Sequence, residues 1–384
     1  MSLRVELIDS FSEFATLSEE WNAALSRSEG RSVFLTHQWL SGSWSFLSAT
    51  RQLRVLVLRD GARFAGALAL ALETQHWWPL PMRCLVFLTD PITGCVRSDL
   101  MVDTDPGEAV SVCASFLRDI RNEWDVGIFD SIPAESPLAR GYARFCVGGL
   151  RGRPLEEYLR LHYLPIEGTW EEYMQSHSQH SREHLRRERT KLERLGYIAA
   201  EFATTHDAVM EAVETFFALE KKSAKHDRAD YTPLDASLSS YFHAQFHGLA
   251  AAGLALVATL RLDGAPIASI LATRYRGVIH TLNDVYDSQF AKGYPGHYLR
   301  GDLLRHAWQH GYRTVDFNGY GPHLQRWHTV ARPHYRAIFY SPSAYGRLQA
   351  LFRLDMIPFA RSVLPSQWLP SPPPSRPGDR GLEA

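Results

Sequence analysis

The first 150 residues change from a helical to a strand-like pattern of apolar positions. Residues 11–25 (FSEFATLSEEWNAAL) repeat apolar side chains about every 3.6 positions, which predicts a helix. The next segment, VFLTHQWLSGSWSFL, predicts a turn and a second helix. Two apolar runs in residues 53–72 are separated by Asp60-Gly61, a strong hairpin signal. CLVFLTD and VGIFDSI predict further strands with a helix between them, so this half is expected to be α+β.

The pattern restarts near residue 163 and follows a similar order. SREHLRRERTKLERLG (181–196) predicts a charged helix, YIAAEFAT a strand, and two further helices follow. Residues 254–287 predict consecutive strands, with a second hairpin at Asp263-Gly264. The glycine-rich stretch AKGYPGHYLRG (291–301) then opens into a helix, and the strand YRTVDFNGY comes after it. Because both halves contain an apolar strand, a DG hairpin and a small-residue strand, we predict an internal duplication.

The composition of the chain argues against several classes of protein but does not by itself indicate a function. The formal net charge of −1 gives no basic field for DNA binding. The four cysteines form no CxxC pair, which argues against a zinc knuckle or a disulfide scaffold and fits a reducing cytoplasm. The N-terminal residues lack a signal-peptide pattern, and the longest weakly polar run, 248–260, is too short to span a bilayer. Most of the Trp and Tyr residues are expected in the core.

The order of antiparallel hairpin, strand, glycine turn, helix and strand resembles that of GNAT acyltransferases. The string VYDSQFAKGYPGHYLRGDLLRHAWQHGYRTVDFNGYGPHLQRW, together with HSREHLRRERTKLERLG and FFALEKKSAK, resembles the tandem-GNAT family named for bacterial cellulose-biosynthesis acetyltransferases. That family is similar to the Fem-type peptidoglycan aminoacyltransferases. The resemblance implies a mixed α+β fold of two GNAT-like units in tandem, each a twisted, mostly antiparallel sheet with helices on both faces.

The resemblance also implies how the chain is divided. Residues 1–162 would form an N-terminal domain that shapes the acceptor groove, and residues 163–345 a C-terminal domain that binds the acyl donor. A C-terminal helical segment, 346–364, would follow. The tail 365–384 is Pro-rich, which predicts an extended or disordered segment.

By the same resemblance, the turn 291–299 would bind the pyrophosphate of the acyl donor at a helix N-terminus. The residues expected there are Lys292, Gly293, Pro295, Gly296, His297 and Tyr298. Where the family usually has a small residue before Pro-Gly, this chain has Tyr294. No permanently bound cofactor is expected; the co-substrate would be acyl-CoA or an acyl carrier protein.

Acyl transfer requires a base for the attacking amine or hydroxyl and a group that stabilises the oxyanion. Asp316 is the first candidate for the base, because apolar neighbours in its strand predict burial and a raised pKa. The alternative is that Asp316 caps the turn at residues 318–319. The resemblance makes Glu220 and His323 further catalytic candidates, although an exposed helix charge is the more common outcome for any single residue at the position of Glu220. The acceptor or donor would also contact Lys225, Asp284, Tyr286 and Arg326.

Two sets of histidines raise the question of a metal. His177, His180 and His184 fall at helical spacing on one face, and His306 and His310 are four residues apart. Neither set has an HExxH motif, a cysteine partner or a carboxylate triplet, so we expect no metal.

Two segments could contact an anionic membrane. Helix 181–196 carries six basic residues interleaved with three glutamates, for which a solvated, salt-bridged face is the main alternative. Residues 345–369 place Leu348, Leu351, Phe352, Phe359, Val363 and Trp368 on one side, with docking onto the protein's own core as the alternative.

The expected function is therefore transfer of an acyl group from an acyl thioester to an amine or hydroxyl of an envelope glycan or lipid, such as a long-chain amine. The acceptor would be a small molecule or a lipid, met in the cytoplasm or at the inner face of the membrane. Fem-type aminoacyl transfer from tRNA and a non-catalytic scaffold role in a polysaccharide complex are the alternatives.

Overall fold

A computed structural model describes residues 3–29, 32–77, 80–89, 97–146, 150–227, 236–319 and 321–356. By contacts between residues the chain forms two compact units. The first contains residues 1–159 and 333–384, and the second contains residues 160–332. Residues 333–345 thus group with the first unit, while the predicted domain boundary placed them in the second. The predicted tail 365–384 and residues 357–364 of the C-terminal segment lie outside the described residues.

The first unit begins with a strand and three helices and continues with sheet strands. Its elements up to residue 152 are β1 Arg4–Ile8, α1 Phe11–Thr16, α2 Ser18–Arg27, α3 His37–Leu47, β2 Gln52–Asp60, β3 Arg63–Trp77, β4 Leu80–Phe87, β5 Met101–Val102, α4 Pro106–Asp119, β6 Val126–Pro133, α5 Pro137–Phe145 and β7 Arg151–Gly152.

The second unit has the charged helix near its start and the glycine turn near its end. Its elements are β8 Glu156–Pro165, α6 Trp170–Ser176, α7 Gln179–Glu193, β9 Ile198–Ala203, α8 His206–Glu220, α9 Ala236–Ala251, β10 Ala255–Leu262, β11 Ala265–Tyr275, β12 Val278–Tyr286, α10 Pro295–Gln309 and β13 Thr314–Asp316. The chain then returns to the first unit through β14 Val330–Tyr340 and α11 Ala344–Ala350.

The two units share one strand order. In the first it is β1-β2-β3-β4-β6-β14, and in the second it is β9-β10-β11-β12-β13-β8. In each, one pair is parallel, β4 with β6 and β12 with β13, and the other neighbours in these orders are antiparallel. A helix, α4 or α10, connects the two parallel strands, as a parallel pair requires. This equal topology agrees with the predicted internal duplication.

Both predicted hairpins form with two-residue turns, but the Asp-Gly pair occupies a different position in each turn. In the second, Leu262 pairs with Ala265, and the central residues Asp263 and Gly264 have φ of 48° and 83°. Two positive φ values are those of a type I′ turn. In the first, Asp60 pairs with Arg63, so Gly61, with φ 63°, is the first central residue. Both hairpins carry a register shift beside the arginine that precedes the turn, which is a further similarity of the two units.

Alternation along the strands of the second unit separates two buried faces. Leu256, Ala258 and Leu260 of β10 pack with α10 in one hydrophobic cluster. Val257 and Thr259 of β10 are also buried and, by alternation, face the opposite side, and α8 contacts the same strand. Trp21, Trp39 and Trp124 are fully buried in the first unit, as the core interpretation of the aromatic residues predicts.

Several elements were absent from the sequence prediction. Pattern reasoning did not find the strands β1, β8 and β14 or the helices α5 and α6. β14 (VARPHYRAIFY) contains a proline and three charged or imidazole side chains, which hide the alternation of a strand. None of the helices in the described ranges is both long and apolar enough to cross a lipid bilayer.

Candidate functional site

The turn between β12 and α10 is built around one left-handed residue. Ser288–Gly293 forms a 3-10 helix, and Tyr294 follows with φ 55° and ψ 48°. Pro295 begins α10, where a residue without an N–H leaves no donor unpaired. The N–H groups of His297 and Tyr298 both donate to the carbonyl of Tyr294, at 3.0 and 3.1 Å. Among the described residues nothing accepts from the N–H of Gly296, so that amide remains available at the positive end of the helix.

The two predicted glycines of this turn lie in different surroundings. A Cβ on Gly293 would lie 2.5 Å from Cδ2 of Leu192 in α7, so Gly293 allows close packing of the turn on that helix. A Cβ on Gly296 would meet only Tyr286 at 3.5 Å and the Asp284 carboxylate at 4.0 Å. The backbone of Gly296 is therefore approachable, whereas Gly293 serves packing. Pro295 is buried, and Lys292 is exposed.

Strands β12 and β13 separate at the level of this turn. They pair in parallel only from Val278 with Thr314 to His280 with Asp316. Beyond that, the hydroxyl of Thr281 donates to the carbonyl of Phe317 at 2.9 Å. A cavity of about 160 Å³ lies where the strands have parted. Its walls are Ile270, Thr281, Leu282, Asn283, Asp284, Arg300, Phe317, Asn318, Gly319, His323 and Leu324.

Asp284 holds the negative charge of the cavity. Burial would raise its pKa, but the charges of Lys225, Arg300, His323 and His297 outweigh burial and hold the pKa of Asp284 below its ordinary value. Arg300 Nη2 lies 3.7 Å from Asp284 Oδ1, and 41% of the Asp284 side chain is exposed. A carboxylate that stays ionised among cations is a weak base, so Asp284 is better suited to hold cations in place than to accept a proton.

His323 has the opposite character. Burial and the positive charge of Arg300 lower the pKa of the His323 imidazole, and Asp284 only partly opposes this. The imidazole is therefore neutral at physiological pH and can accept a proton. His323 combines this property with a place in the cavity wall, which Asp316 and Glu220 do not have among the described residues.

Asp316 is buried and makes a local hydrogen bond. Its Oδ1 accepts the N–H of Asn318 at 2.9 Å, and 2% of the residue is exposed. This is the geometry of the turn-capping alternative. The catalytic assignment of Asp316 stays a prediction, but its carboxylate has a structural role that accounts for its position.

Glu220 is the last residue of α8, and Lys225 lies in the short segment that follows. Their side chains have different surroundings. Glu220 is 3% exposed, so it is not the surface charge that the alternative predicted. The Lys225 ammonium donates to Oδ1 of Asn283 at 3.2 Å and to the carbonyl of Asp284. The structure thus brings Lys225 to the edge of the cavity.

Arg326 and His297 meet on the other side of α10. Arg326 Nη1 lies 3.0 Å from both ring nitrogens of His297. Nδ1 of His297 also lies 3.2 Å from Oε2 of Glu188, a residue of α7 whose side chain is 5% exposed. His184 lies 3.2 Å from the other oxygen of that carboxylate. The interleaved charges of α7 therefore do not all form a solvated face, because Glu188 is buried between two histidines.

Arg300 and Asn318 are among the residues of the cavity wall that sequence reasoning missed. Arg300 lies four residues after Gly296, so helical periodicity from the turn could have found it. No comparable sequence pattern indicated that Asn318 would line the cavity. It is 6% exposed with φ 44°, and neither its side-chain oxygen nor its nitrogen has a partner among the described residues. A buried amide without a partner, on a strained backbone in a cavity wall, is a group suited to bind a ligand.

The histidine sets do not form a metal site in the described part of the chain. No group of three or more His, Cys, Asp or Glu side chains there is arranged to hold an ion. The expectation that His177, His180 and His184 share one helix face is wrong, because His177 ends α6 and Ser178 caps a new helix. His177 instead stacks on His328 at 3.9 Å, and His306 stacks on His310 at the same distance.

Comparison with known proteins identifies the type of domain. Residues 179–327 match the family described as "Acetyltransferase (GNAT) domain". This range contains the glycine turn, the cavity and most of the second unit. None of the curated proteins compared with the chain shows significant sequence similarity to it.

Solved structures are similar over nearly the whole chain at low sequence identity. FemX superposes with a TM-score of 0.63 and 13% identity, covering 91% of this chain and 99% of FemX. The C-terminal domain of a candidate lysylphosphatidylglycerol synthetase from Agrobacterium fabrum has a TM-score of 0.52 and 13% identity over 90% and 97%. A conserved protein of unknown function from Bacteroides thetaiotaomicron has a TM-score of 0.52 and 8% identity over 88% and 99%.

These matches support the predicted fold class. Most of the second unit matches a GNAT domain, and the first unit repeats its strand order, so the chain has a mixed α/β fold of two GNAT-like units in tandem. The finer assignment to the cellulose-biosynthesis family stays a prediction.

Proposed function

We propose that the protein is an acyltransferase that moves an acyl group from an acyl thioester, such as acyl-CoA, to an amine or hydroxyl of a glycan or lipid acceptor. The observation that carries this proposal is the cavity between the separated ends of β12 and β13, with Asn318 in its wall, whose side-chain amide has no partner among the residues that the structure describes. It lies beside the first turn of α10, where the N–H of Gly296 can bind a phosphate.

The donor would bind across this turn. Its pyrophosphate would lie at the N-terminus of α10, and its extended arm would enter between β12 and β13. Strand edges that have parted offer peptide groups to an extended amide chain, much as a sheet edge accepts an added strand. Asn318 would donate a side-chain N–H and accept another hydrogen bond with its oxygen.

The chemical step follows from the charges of the cavity. The neutral acceptor amine attacks the carbonyl carbon of the thioester, a C–N bond forms, and the carbonyl electron pair moves to oxygen. Arg300 and the Asn318 amide are the donors available to stabilise that oxyanion. His323 accepts the proton that the amine loses. The C–S bond then breaks, and the thiolate leaves and takes up a proton from the imidazolium or from solvent.

The acceptor classes to test first are lipids and sugars that carry an amine. The name of the Agrobacterium neighbour refers to a lysylated phospholipid, so a lipid headgroup is a natural first class to test. An amine acceptor suits the lowered pKa of His323, since the base must be uncharged to receive a proton. We propose a long-chain amine or an amino sugar as the acceptor.

Variants of His323 test the catalytic assignment. We expect His323→Ala to lower kcat by about 10²-fold, because removal of a general base typically costs 10²–10⁴-fold. In the wild type, activity should rise with pH through a pKa below the ordinary value for His, because the imidazole must lose its proton to act. Asp284→Asn should move this limb to still lower pH, because the charge of Asp284 raises the pKa of His323.

Asp316→Asn is the matched comparison. Asparagine keeps an oxygen that accepts the N–H of Asn318, so we expect less than about a tenfold change in kcat. A larger loss for Asp316→Asn than for His323→Ala would contradict the assignment and make Asp316 the base.

The alternatives predict different results with different donors. Fem-type transfer would require an aminoacyl-tRNA, and no acyl-CoA would be consumed. A scaffold would bind no donor at all. Turnover of acyl-CoA by the wild type that falls about 10²-fold in His323→Ala would exclude both alternatives.

A further inference from the structure

The short helical segment that carries His323 is attached to α6. Pro322–Trp327 forms a 3-10 helix, and His328 follows it with φ 51°. We call residues 321–329 the His323 loop. Because His323 and Leu324 of this loop line the cavity, the contacts that hold the loop determine where the proposed base lies.

Three of the described contacts join α6 to the His323 loop. The hydroxyl of Tyr173 donates to the carbonyl of Trp327 at 2.9 Å. The ring of His177, the residue that ends α6, stacks on the ring of His328 with 3.9 Å between centroids and 7° between planes. Oγ of Ser176 lies 3.2 Å from Nδ1 of His328. A pair of imidazoles therefore lies at the centre of this attachment.

The hydrogen bonds around the stack determine which nitrogen of each ring carries a proton. Nδ1 of His177 lies 3.0 Å from the carbonyl of Tyr173, which can only accept, so Nδ1 is the donor. The Ser176 hydroxyl donates to the same carbonyl at 2.7 Å, so it accepts from Nδ1 of His328. In each neutral ring Nε2 is therefore the nitrogen that takes up a further proton.

A proton at Nε2 of either ring opposes the stacked arrangement. Nε2 of His177 is buried and has no hydrogen-bond partner among the described residues, so a charge on this ring would be buried without compensation. Partial burial lowers the pKa of His328, and the neighbouring His177 ring lowers it further. The stack is therefore most favourable while both rings are uncharged.

The charged groups around the pair do not offset a proton on it. In the part of the chain that the structure describes, neither His177 nor His328 forms an ion pair with a carboxylate. Arg182 of α7 contacts this end of α6, where its guanidinium donates to the carbonyls of Gln175 and His177. The carboxylate of Glu172 is engaged at the opposite end of α6, where it caps the helix. The charged group in contact with this end of α6 thus has the same sign as the added proton.

A second anchor joins the same loop to β8. The hydroxyl of Thr329 donates to the carbonyl of Leu324 at 3.1 Å, and Nδ1 of His162 donates to that hydroxyl at 2.7 Å. Burial lowers the pKa of His162, so this anchor also contains a neutral imidazole. A variant of His328 changes the attachment to α6 and leaves the hydrogen bonds of Thr329 in place.

We propose that His177 and His328 are positioning residues, whose stacked and uncharged rings hold the His323 loop against α6, and that uptake of a proton by either ring releases the loop. This inference rests on the proposed function only through the role of His323 as the base. Acid would then lower activity in two ways, by protonating the base and by releasing the loop that positions it.

Hydrogen exchange of the full chain, followed by mass spectrometry, tests the release without any substrate. We expect the amides of residues 321–329 to lose about tenfold in protection between about pH 7.5 and about pH 5, after correction for the intrinsic effect of pH, while those of β10 keep theirs. His328→Asn removes the imidazole, and asparagine tolerates a positive φ. In this variant the loop should be equally protected at both pH values.

His310→Asn is the matched control, because His310 stacks on His306 at the end of α10 and lies outside the loop. Its loop should respond to pH as in the wild type. His177→Phe keeps a buried ring that cannot be protonated and should abolish the response from the other side of the stack. The proposal is wrong if the wild-type loop shows no response, if a folded variant of either stacked residue keeps it, or if His310→Asn loses it.

The pH dependence of kcat supplies the second readout. As the pH falls, log kcat of the wild type should decline with a slope of about two, one proton for His323 and one for the pair, and with a slope of about one in His328→Asn. A slope of one in both proteins would overturn the positioning role. If no acyl donor is turned over, the proposed function fails, and the exchange experiment still decides whether the pair holds the loop.

Discussion

At the scale of residues, the structure separates residues that line the cavity from residues that shape the backbone or allow close packing. Asp316 caps a turn, Gly293 packs on α7, and Asn318, in the cavity wall, has a buried amide without a partner among the described residues. Neighbouring residues of one short sequence can therefore differ completely in role. Periodicity and spacing cannot distinguish them, because the distinction depends on which atoms have partners in three dimensions.

Asn318 provides the sharpest residue-level test. Asn318→Gly removes the side chain, and glycine readily adopts the φ of 44° at this position. The fold should therefore be kept, while kcat falls by about 10²-fold or more, as the loss of one oxyanion donor typically costs. Steady-state kinetics and thermal unfolding together check this. An unchanged kcat in a folded variant would show that Asn318 does not contact the reacting atoms.

At the scale of elements, the sequence predicted most of what local patterns control. Both DG hairpins, the charged helix α7 and the glycine turn before α10 lie where periodicity and turn residues indicate. β8 and β14 were missed because their positions depend on pairing with distant strands. The cavity was also beyond prediction, since it arises where β12 and β13 stop pairing.

The two glycines of the turn should respond differently to the same change. Gly293→Ala should lower the free energy of unfolding by about 1–3 kcal/mol, because the new methyl group would overlap Leu192. Gly296→Val should leave stability nearly unchanged and weaken coenzyme A binding at least tenfold, because the side chain blocks approach to the backbone. Chemical denaturation and calorimetry measure the two effects. Equal binding by Gly296→Val and the wild type would place the pyrophosphate elsewhere.

At the scale of the whole molecule, the net charge is close to zero, but the α7 segment carries several exposed basic side chains. Arg186, Arg187 and Arg194 of the α7 segment are exposed. In the first unit, Leu348 and Leu351 of the C-terminal segment are 58% and 47% exposed. Phe359, Val363 and Trp368, which were predicted to continue that apolar side, lie outside the described residues. We propose that these segments give the protein a reversible contact with an anionic membrane.

Flotation with liposomes tests this contact. Each basic residue near an anionic leaflet adds about 1 kcal/mol, so we expect binding at low salt that is lost at high salt. Arg186→Ala/Arg187→Ala should reduce it further, and neutral phosphatidylcholine vesicles serve as the control. Absence of binding to anionic vesicles at low salt would favour a water-soluble acceptor.

The left-handed backbone at Tyr294 has a consequence for variation at this position. A tyrosine with φ 55° is strained, and it is 46% exposed above Lys191, whose ammonium lies 5.3 Å from the ring. In a mutational scan selected for folding alone, glycine and asparagine should therefore be enriched over tyrosine at residue 294. Selection for catalysis should reverse that order if the ring covers the bound phosphates, so the difference between the two scans would measure what the enzyme gains from keeping an unfavourable residue.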